Sequence, residues 1–364
     1  MHSSKERQHF RGEHHHAVEV GASIVSYSLV SLSIVFVNRR IFTDTFKYPV
    51  FVSWFQQVVG LLLYVGLGEL GAVFPPSMPP IVPRFRPSWR TAKAILPLTL
   101  SFVGMISFSN TCLLFVQVST YQVARSLTLL FNLVLSYLVL GHVSSVKVRL
   151  ACVLVVSGFL VGSFDPSTLQ LLGVITGACS SVFQAIYMVF IKRAIIACNN
   201  DQNVVSGYNF LLASVLFLPA IYAAGEAHVW RELLAADYHV WGWLLLSGLL
   251  SSFFNVTSFW CVRVTSPLTF NVVGYGKACL QSLGGIVVLG DKVTAKSTMG
   301  IMLTLAGSFW YGQIKVAERG KERAAEGKKE DGEVRVGEKS SESSAVTTDS
   351  GGGAAGVRQR TGRT

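Results

Sequence analysis

Two cations stand inside apolar runs of this chain: Arg125 in QVARSLTLLFNLVLSYLVL and Lys277 in NVVGYGKACLQSL. Either costs about 2.5 to 3.5 kcal/mol if it faces lipid at the centre of a span, so both are expected to face the interior of a helix bundle. Their chemistry depends on what neutralises them. No Asp or Glu lies well inside the apolar runs, Glu69 near the end of the second being the nearest, so the counter-ion has to arrive from outside. An anionic solute fits: arginine forks onto two phosphate oxygens and lysine acts as a movable point charge, so two cations flanking a cavity suit a diphosphate. Gly274 and Gly276 remove side chains beside Lys277 and let backbone approach a ligand, with small-residue helix packing as their alternative role. Tyr275 between them either touches the ligand or fills space. Tyr27, Tyr121, Tyr208 and Asn209 are of types that stack on or hydrogen-bond a base or sugar, although membrane tyrosines also serve as interface anchors.

The elements that hold these residues follow from composition. Of 364 residues, 51% are apolar and 14% charged, against roughly a quarter charged in soluble domains. Runs of the length that spans a hydrocarbon core recur from Val18 to Ile314. Ten spans are expected, at roughly 18–37, 49–70, 94–115, 119–140, 146–164, 169–190, 204–224, 240–261, 267–289 and 297–315, broken at Asn38-Arg39-Arg40, the prolines of 75–87, His142–Ser145, Asp165-Pro166, Asn199–Asn203, Ser266-Pro267 and Asp291–Lys296. The first span is expected to direct insertion itself, since residues 1–17 lack a cleavable signal pattern. An even number of spans puts both termini on one side. Arg84, Arg86, Arg90, Lys93, Lys147, Arg149, Lys192, Arg193 and Arg263 outnumber the cations of the opposite loops, so that side is expected to be the cytosol.

The chain therefore divides into a cytosolic segment 1–17, a membrane body 18–315 and a tail 316–364 whose mixed charges with Gly, Ser and Ala predict disorder. The net charge of +11 belongs mostly to the body, with its cations at membrane borders or inside spans. That favours membrane lipid or an anionic solute as partner over nucleic acid. The six cysteines, Cys112, Cys152, Cys179, Cys198, Cys261 and Cys279, show no metal-ligand spacing and are expected to be reduced and buried. No cofactor or metal is implied: the run His14–His16 has nothing to fix it as a metal site. Asn255-Val256-Thr257 matches a glycosylation triplet but falls inside the eighth span. A homodimer is compatible with the sequence.

Two stretches are alike at a fixed offset: QVARSLTLLFNLVLSYLVLGHVSS from Gln122 and NVVGYGKACLQSLGGIVVLGDKVT from Asn271. Val139-Leu140-Gly141 then lies opposite Val288-Leu289-Gly290, Gly158 opposite Gly307, and Lys277 opposite Thr128, one turn from Arg125. Each half would hold five spans, about 18–165 and 169–315. An odd number forces the second copy into the bilayer upside down. The expected fold is all-α and polytopic, ten helices in two inverted five-helix repeats, an architecture of alternating-access transporters whose site lies where the halves meet.

On these residues the chain resembles the nucleotide-sugar transporters of the drug/metabolite transporter superfamily, most closely their GDP-fucose branch. The likeness covers about 18–315 and is carried by YSLVSLSIVFVNRR, PVFVSWFQQ, ILPLTLSFVGMISFSNTCL, ARSLTLLFNLVLSYLVL and TSPLTFNVVGYGKAC. The resemblance implies that Tyr208 and Asn209 read guanine: they match the middle of the family's Phe-Tyr-Asn-Asn motif, from which Gly207 and Phe210 depart. It implies that Lys277 and Arg125 take the phosphates. Tyr27 matches a sugar-facing tyrosine, Arg125 follows Tyr121 by four residues at the family's basic position, and Asn271, Gly274, Tyr275 and Gly276 lie along the same close approach to the sugar. Gly274-Tyr275-Gly276-Lys277 is one residue shorter than the GDP-mannose branch's Gly-Ala-Leu-Asn-Lys. What the resemblance implies is exchange of GDP-fucose for GMP across the Golgi membrane, with the endoplasmic reticulum as the alternative location. Another GDP-sugar such as GDP-mannose, or a sugar phosphate, is the alternative cargo. An enzyme is not expected: Asp165, Asp201 and Asp291 are scattered without a catalytic or metal-binding pattern.

Overall fold

The computed structural model describes residues 2–73, 85, 87–140, 145–163, 171–199, 201–265, 267–291, 294–318 and 320. The expectation for the tail beyond 320 and for the side chains of residues 1–17 lies outside the described residues. The chain divides into two units. The second, Gln313–Thr364, is described as helix over 313–318, where Lys315 Nζ stands 3.0 Å from Glu318 Oε2.

The first unit, Met1–Gly312, is helical, with no strand among its described residues. In chain order it holds α1 His2–Arg40, a π-helical turn Ile41–Thr45, α2 Pro49–Val73, α3 Trp89–Phe115, α4 Val118–Ser126 and α5 Thr128–Leu140. There follow α6 Val146–Ser163, α7 Leu171–Ala197, α8 Gln202–Ala223, a short α9 Val229–Leu234, α10 Tyr238–Val264, α11 Pro267–Leu289 and α12 over 295–312. Pro49 and Pro267 open their helices, where a missing N–H costs nothing. Asp201 caps α8 by accepting from Asn203 N and Val204 N at 2.9 and 3.3 Å. Among the described residues six helices are long and apolar enough to cross a membrane. Their outward faces carry Leu29, Leu62, Val215 and Phe253, all more than half exposed, which suits hydrocarbon and not water.

The expected fourth span is not one helix. It breaks at Leu127, where α4 ends and α5 begins, and Thr128 Oγ1 donates to the Arg125 carbonyl at 2.7 Å across the joint. Side chains from distant parts of the chain close other helix ends. In lipid this matters, because orphan backbone groups find no water there. Arg39 Nη1 donates to the carbonyls of Leu113 and Leu114, at 2.6 and 3.0 Å, at the end of α3. Asp291 Oδ2 accepts from Ser119 N at 3.1 Å at the start of α4. Glu226, in the turn before α9, accepts from Val50 N and Phe51 N at 3.2 and 2.8 Å at the start of α2. Burial pushes the Glu226 carboxyl up, against the opposing pull of the two N–H groups and His228. A cluster including Phe42, Phe51, Leu113, Val118 and Phe217 fills the space among these same helix ends, so one end of the bundle is packed shut. Glu226→Ala leaves two buried donors without their acceptor and is expected to lower stability by about 1–3 kcal/mol. An earlier thermal midpoint in detergent would show it, with Glu226→Gln closer to the native value.

The later helices echo the earlier ones at a constant interval. Trp89 and Tyr238, Val118 and Pro267, Leu140 and Leu289, and residues 146 and 295 are boundary pairs, each 149 residues apart. Packing echoes too. A Cβ at Gly158 would lie 2.6 Å from Thr304 N and 2.9 Å from the Gly300 carbonyl, and one at Gly307 would lie 3.0 Å from Val155 N and 3.2 Å from the Ala151 carbonyl. Residues 158 and 307, 155 and 304, and 151 and 300 share the same interval, so the two contacts fall at matching positions. They bring α6 and α12 into near backbone contact.

Candidate substrate site

Lys277 lies midway along α11, and its Nζ donates to Tyr27 Oη of α1 at 3.2 Å. The ammonium also stands 4.8 Å from the centroid of the Tyr27 ring and 5.6 Å from that of Phe254 on α10. Those two rings stack at 5.7 Å, so the lysine is held by π faces and one neutral oxygen. Arg125 lies in the last turn of α4, where Nη1 donates to Tyr121 Oη at 3.0 Å, and that hydroxyl also bonds Ser109 Oγ of α3 at 2.8 Å. Arg125 is within electrostatic reach of both Tyr27 and Lys277. Arg125 keeps accessible surface. Among the described residues neither cation pairs with a carboxylate.

Four of the expected site residues thus form two bonded pairs, Tyr27 with Lys277 and Tyr121 with Arg125, within electrostatic reach of each other. Beside Gly274 and Gly276 a Cβ would find nothing within 4 Å, so open space adjoins the lysine's helix. The side chains of Asn271 and Tyr275 lie outside the described residues. Sequence reasoning missed the latch beneath the cations. Gln122 Nε2 donates to Gln281 Oε1 at 2.6 Å, and Gln281 Nε2 donates to the Ser31 carbonyl at 3.0 Å, tying α4, α11 and α1 together. Gln281 follows Lys277 by four residues, so it shares its face, and that spacing was the available signal.

Tyr208 and Asn209 part company. Tyr208 is buried, accepts from Ser88 N at 2.6 Å and has its ring 5.1 Å from that of Phe85. Asn209 instead lines a recess among α2, α3, α7, α8 and α10, with Gln57, Phe102, Tyr187, Phe210 and Asn255. Consecutive helical residues point about 100° apart, so two neighbours in sequence serve two environments.

The Triose-phosphate Transporter family model matches residues 18–312. The chain belongs to that family. It is therefore a transporter and not an enzyme, and its helices form a polytopic membrane body. "GDP-fucose transporter 1" of Dictyostelium discoideum is 34% identical over 294 residues, 80% of this chain and 79% of that one. "GDP-fucose transporter 1" of Monosiga brevicollis is 34% identical over 309 residues, 83% of this chain and 92% of that one. "GDP-fucose transporter, Golgi" of Drosophila melanogaster is 31% identical over 306 residues, 80% of this chain and 88% of that one. The family match takes in Tyr27, Arg125 and Lys277 of this chain.

Proposed function

We propose that this chain moves GDP-fucose into the Golgi lumen in exchange for GMP, by alternating access between two inverted five-helix repeats, about 18–165 and 169–315. The observation that carries the reading is the presence of two unlike polar features in one helical body: two cations that pair with no carboxylate among the described residues, and a recess lined by buried amides. The first suits a diphosphate, and the second offers hydrogen-bond acceptors to a base. The names of the relatives supply the cargo and the compartment. The 149-residue interval and the matching glycine contacts support the repeat. The lysine and arginine bias of the loops supports cytosolic termini, and the packed helix ends of Arg39, Glu226 and Asp291 then face the lumen.

Exchange has a physical rationale in this site. A phosphate on either trip neutralises Arg125 and Lys277, whereas a return without one carries two uncompensated cations through the membrane. The loaded carrier moves and the unloaded one lags. A sugar-phosphate exchanger would use the same cations but leave the recess at Asn209 without a ligand group. Proteoliposomes preloaded with GMP are expected to take up radiolabelled GDP-fucose faster than vesicles preloaded with UMP or inorganic phosphate. Acceleration by UMP or phosphate and not by GMP would remove the guanine assignment, and GDP-mannose entering as fast as GDP-fucose would remove the sugar.

A further inference from the structure

Gln57 and Asn209 line the recess, and their side-chain oxygens, Gln57 Oε1 and Asn209 Oδ1, are buried with no hydrogen-bond partner among the described residues. Gln57 is 3% exposed. A buried acceptor left unpaired is destabilising, and a cavity that keeps two of them is arranged for donors brought by a ligand. The aromatic side chains of Phe102, Tyr187 and Phe210 line the same recess and offer faces for a planar ring.

The packing around Gln57 shows how α2 and α8 share this wall. Gln57, Gly60 and Tyr64 lie on one face of α2, three and four residues apart. A Cβ at Gly60 would sit 2.6 Å from the Phe210 ring, and one at Gly207 would sit 2.5 Å from the Tyr64 ring. Gly207 therefore makes room for an aromatic ring supplied by α2, and Phe210 fills the place opened by Gly60.

We propose that Gln57 is a base-reading residue, its Oε1 acting together with Asn209 Oδ1 to accept from N1–H and N2–H of a guanine seated in the recess. This rests on the nucleotide-sugar reading above. Guanine carries those two donors side by side on one edge. Adenine presents a bare acceptor nitrogen at N1 and no 2-amino group, and uracil presents a single N–H, so each would leave a buried carbonyl unpaired.

The test is competition by GMP, IMP and AMP against GDP-fucose uptake in proteoliposomes. The native carrier is expected to prefer GMP over both. Gln57→Leu removes one acceptor and is expected to shrink the preference for GMP over AMP by about tenfold or more. IMP, which keeps N1–H and lacks the 2-amino group, then tells which donor Gln57 meets: its disadvantage to GMP vanishes if the partner was N2–H and persists if it was N1–H. Gln57→Glu keeps an acceptor oxygen and is expected to keep the preference, whereas a merely space-filling role would let Gln57→Leu keep it too. An unchanged GMP-to-AMP ratio in Gln57→Leu, or a lost preference in Gln57→Glu, overturns the assignment of Gln57. A native carrier that accepts GMP, AMP and UMP alike fails earlier, at the guanine reading itself.

Discussion

Replacing Lys277 with alanine is expected to slow exchange at least about a hundredfold while the protein still folds. Truncating one partner of a buried charge-assisted contact costs about 2–5 kcal/mol, and about 2.7 kcal/mol already corresponds to a factor of a hundred. The folded protein should not suffer in proportion. Lys277 is held by one neutral hydroxyl and two ring faces, so its removal strips no carboxylate of a partner and relieves the burial of a charge. Counterflow of GDP-fucose against GMP gives the first quantity; a monodisperse elution and an unshifted thermal midpoint in detergent give the second. Normal transport by the variant would make the lysine structural and place the phosphate site elsewhere.

Gly300→Val is expected to do the opposite, abolishing assembly without touching the site. A Cβ at Gly300 would fall on the backbone of α6, 2.5 Å from Gly162 N and 2.8 Å from the Gly158 carbonyl. Backbone cannot yield as the end of a flexible side chain can, so α12 would have to move away from α6. Overpacking of this kind costs about 1–3 kcal/mol where side chains can give, and more where they cannot. The expected readout is aggregation or loss of the monodisperse peak. Gly274→Ala serves as the contrast, since its Cβ meets nothing within 4 Å and the variant should elute as the native protein does.

The two outcomes separate what the residues themselves announced from what only their packing reveals. Lys277 and Arg125 were legible because a charge in an apolar run has few explanations, and Pro49 and Pro267 because proline suits a first turn. The joint at Leu127 was not legible: Ser126-Leu127-Thr128 contains neither glycine nor proline, and a hydroxyl bonding back to the Arg125 carbonyl gives no local signal. Gln57 was missed for a related reason. A neutral amide in an apolar helix changes hydropathy little, and its importance depends on Asn209, which stands some 150 positions away and meets it only across the recess. The separation of Tyr208 from Asn209 was available in principle from helical geometry. A motif read as a string hides that neighbours in sequence face different ways.

The joint at Leu127 bears on how the cations fare when no phosphate is aboard. Arg125 sits in the last turn of α4, near the negative end of that short helix's dipole. Lys277 has no such end nearby, being placed midway along an uninterrupted α11, and relies on aromatic faces alone beyond its single hydroxyl. The two cations are therefore insulated unequally. In the exchange proposed above, the penalty for a return without phosphate falls mainly on Lys277.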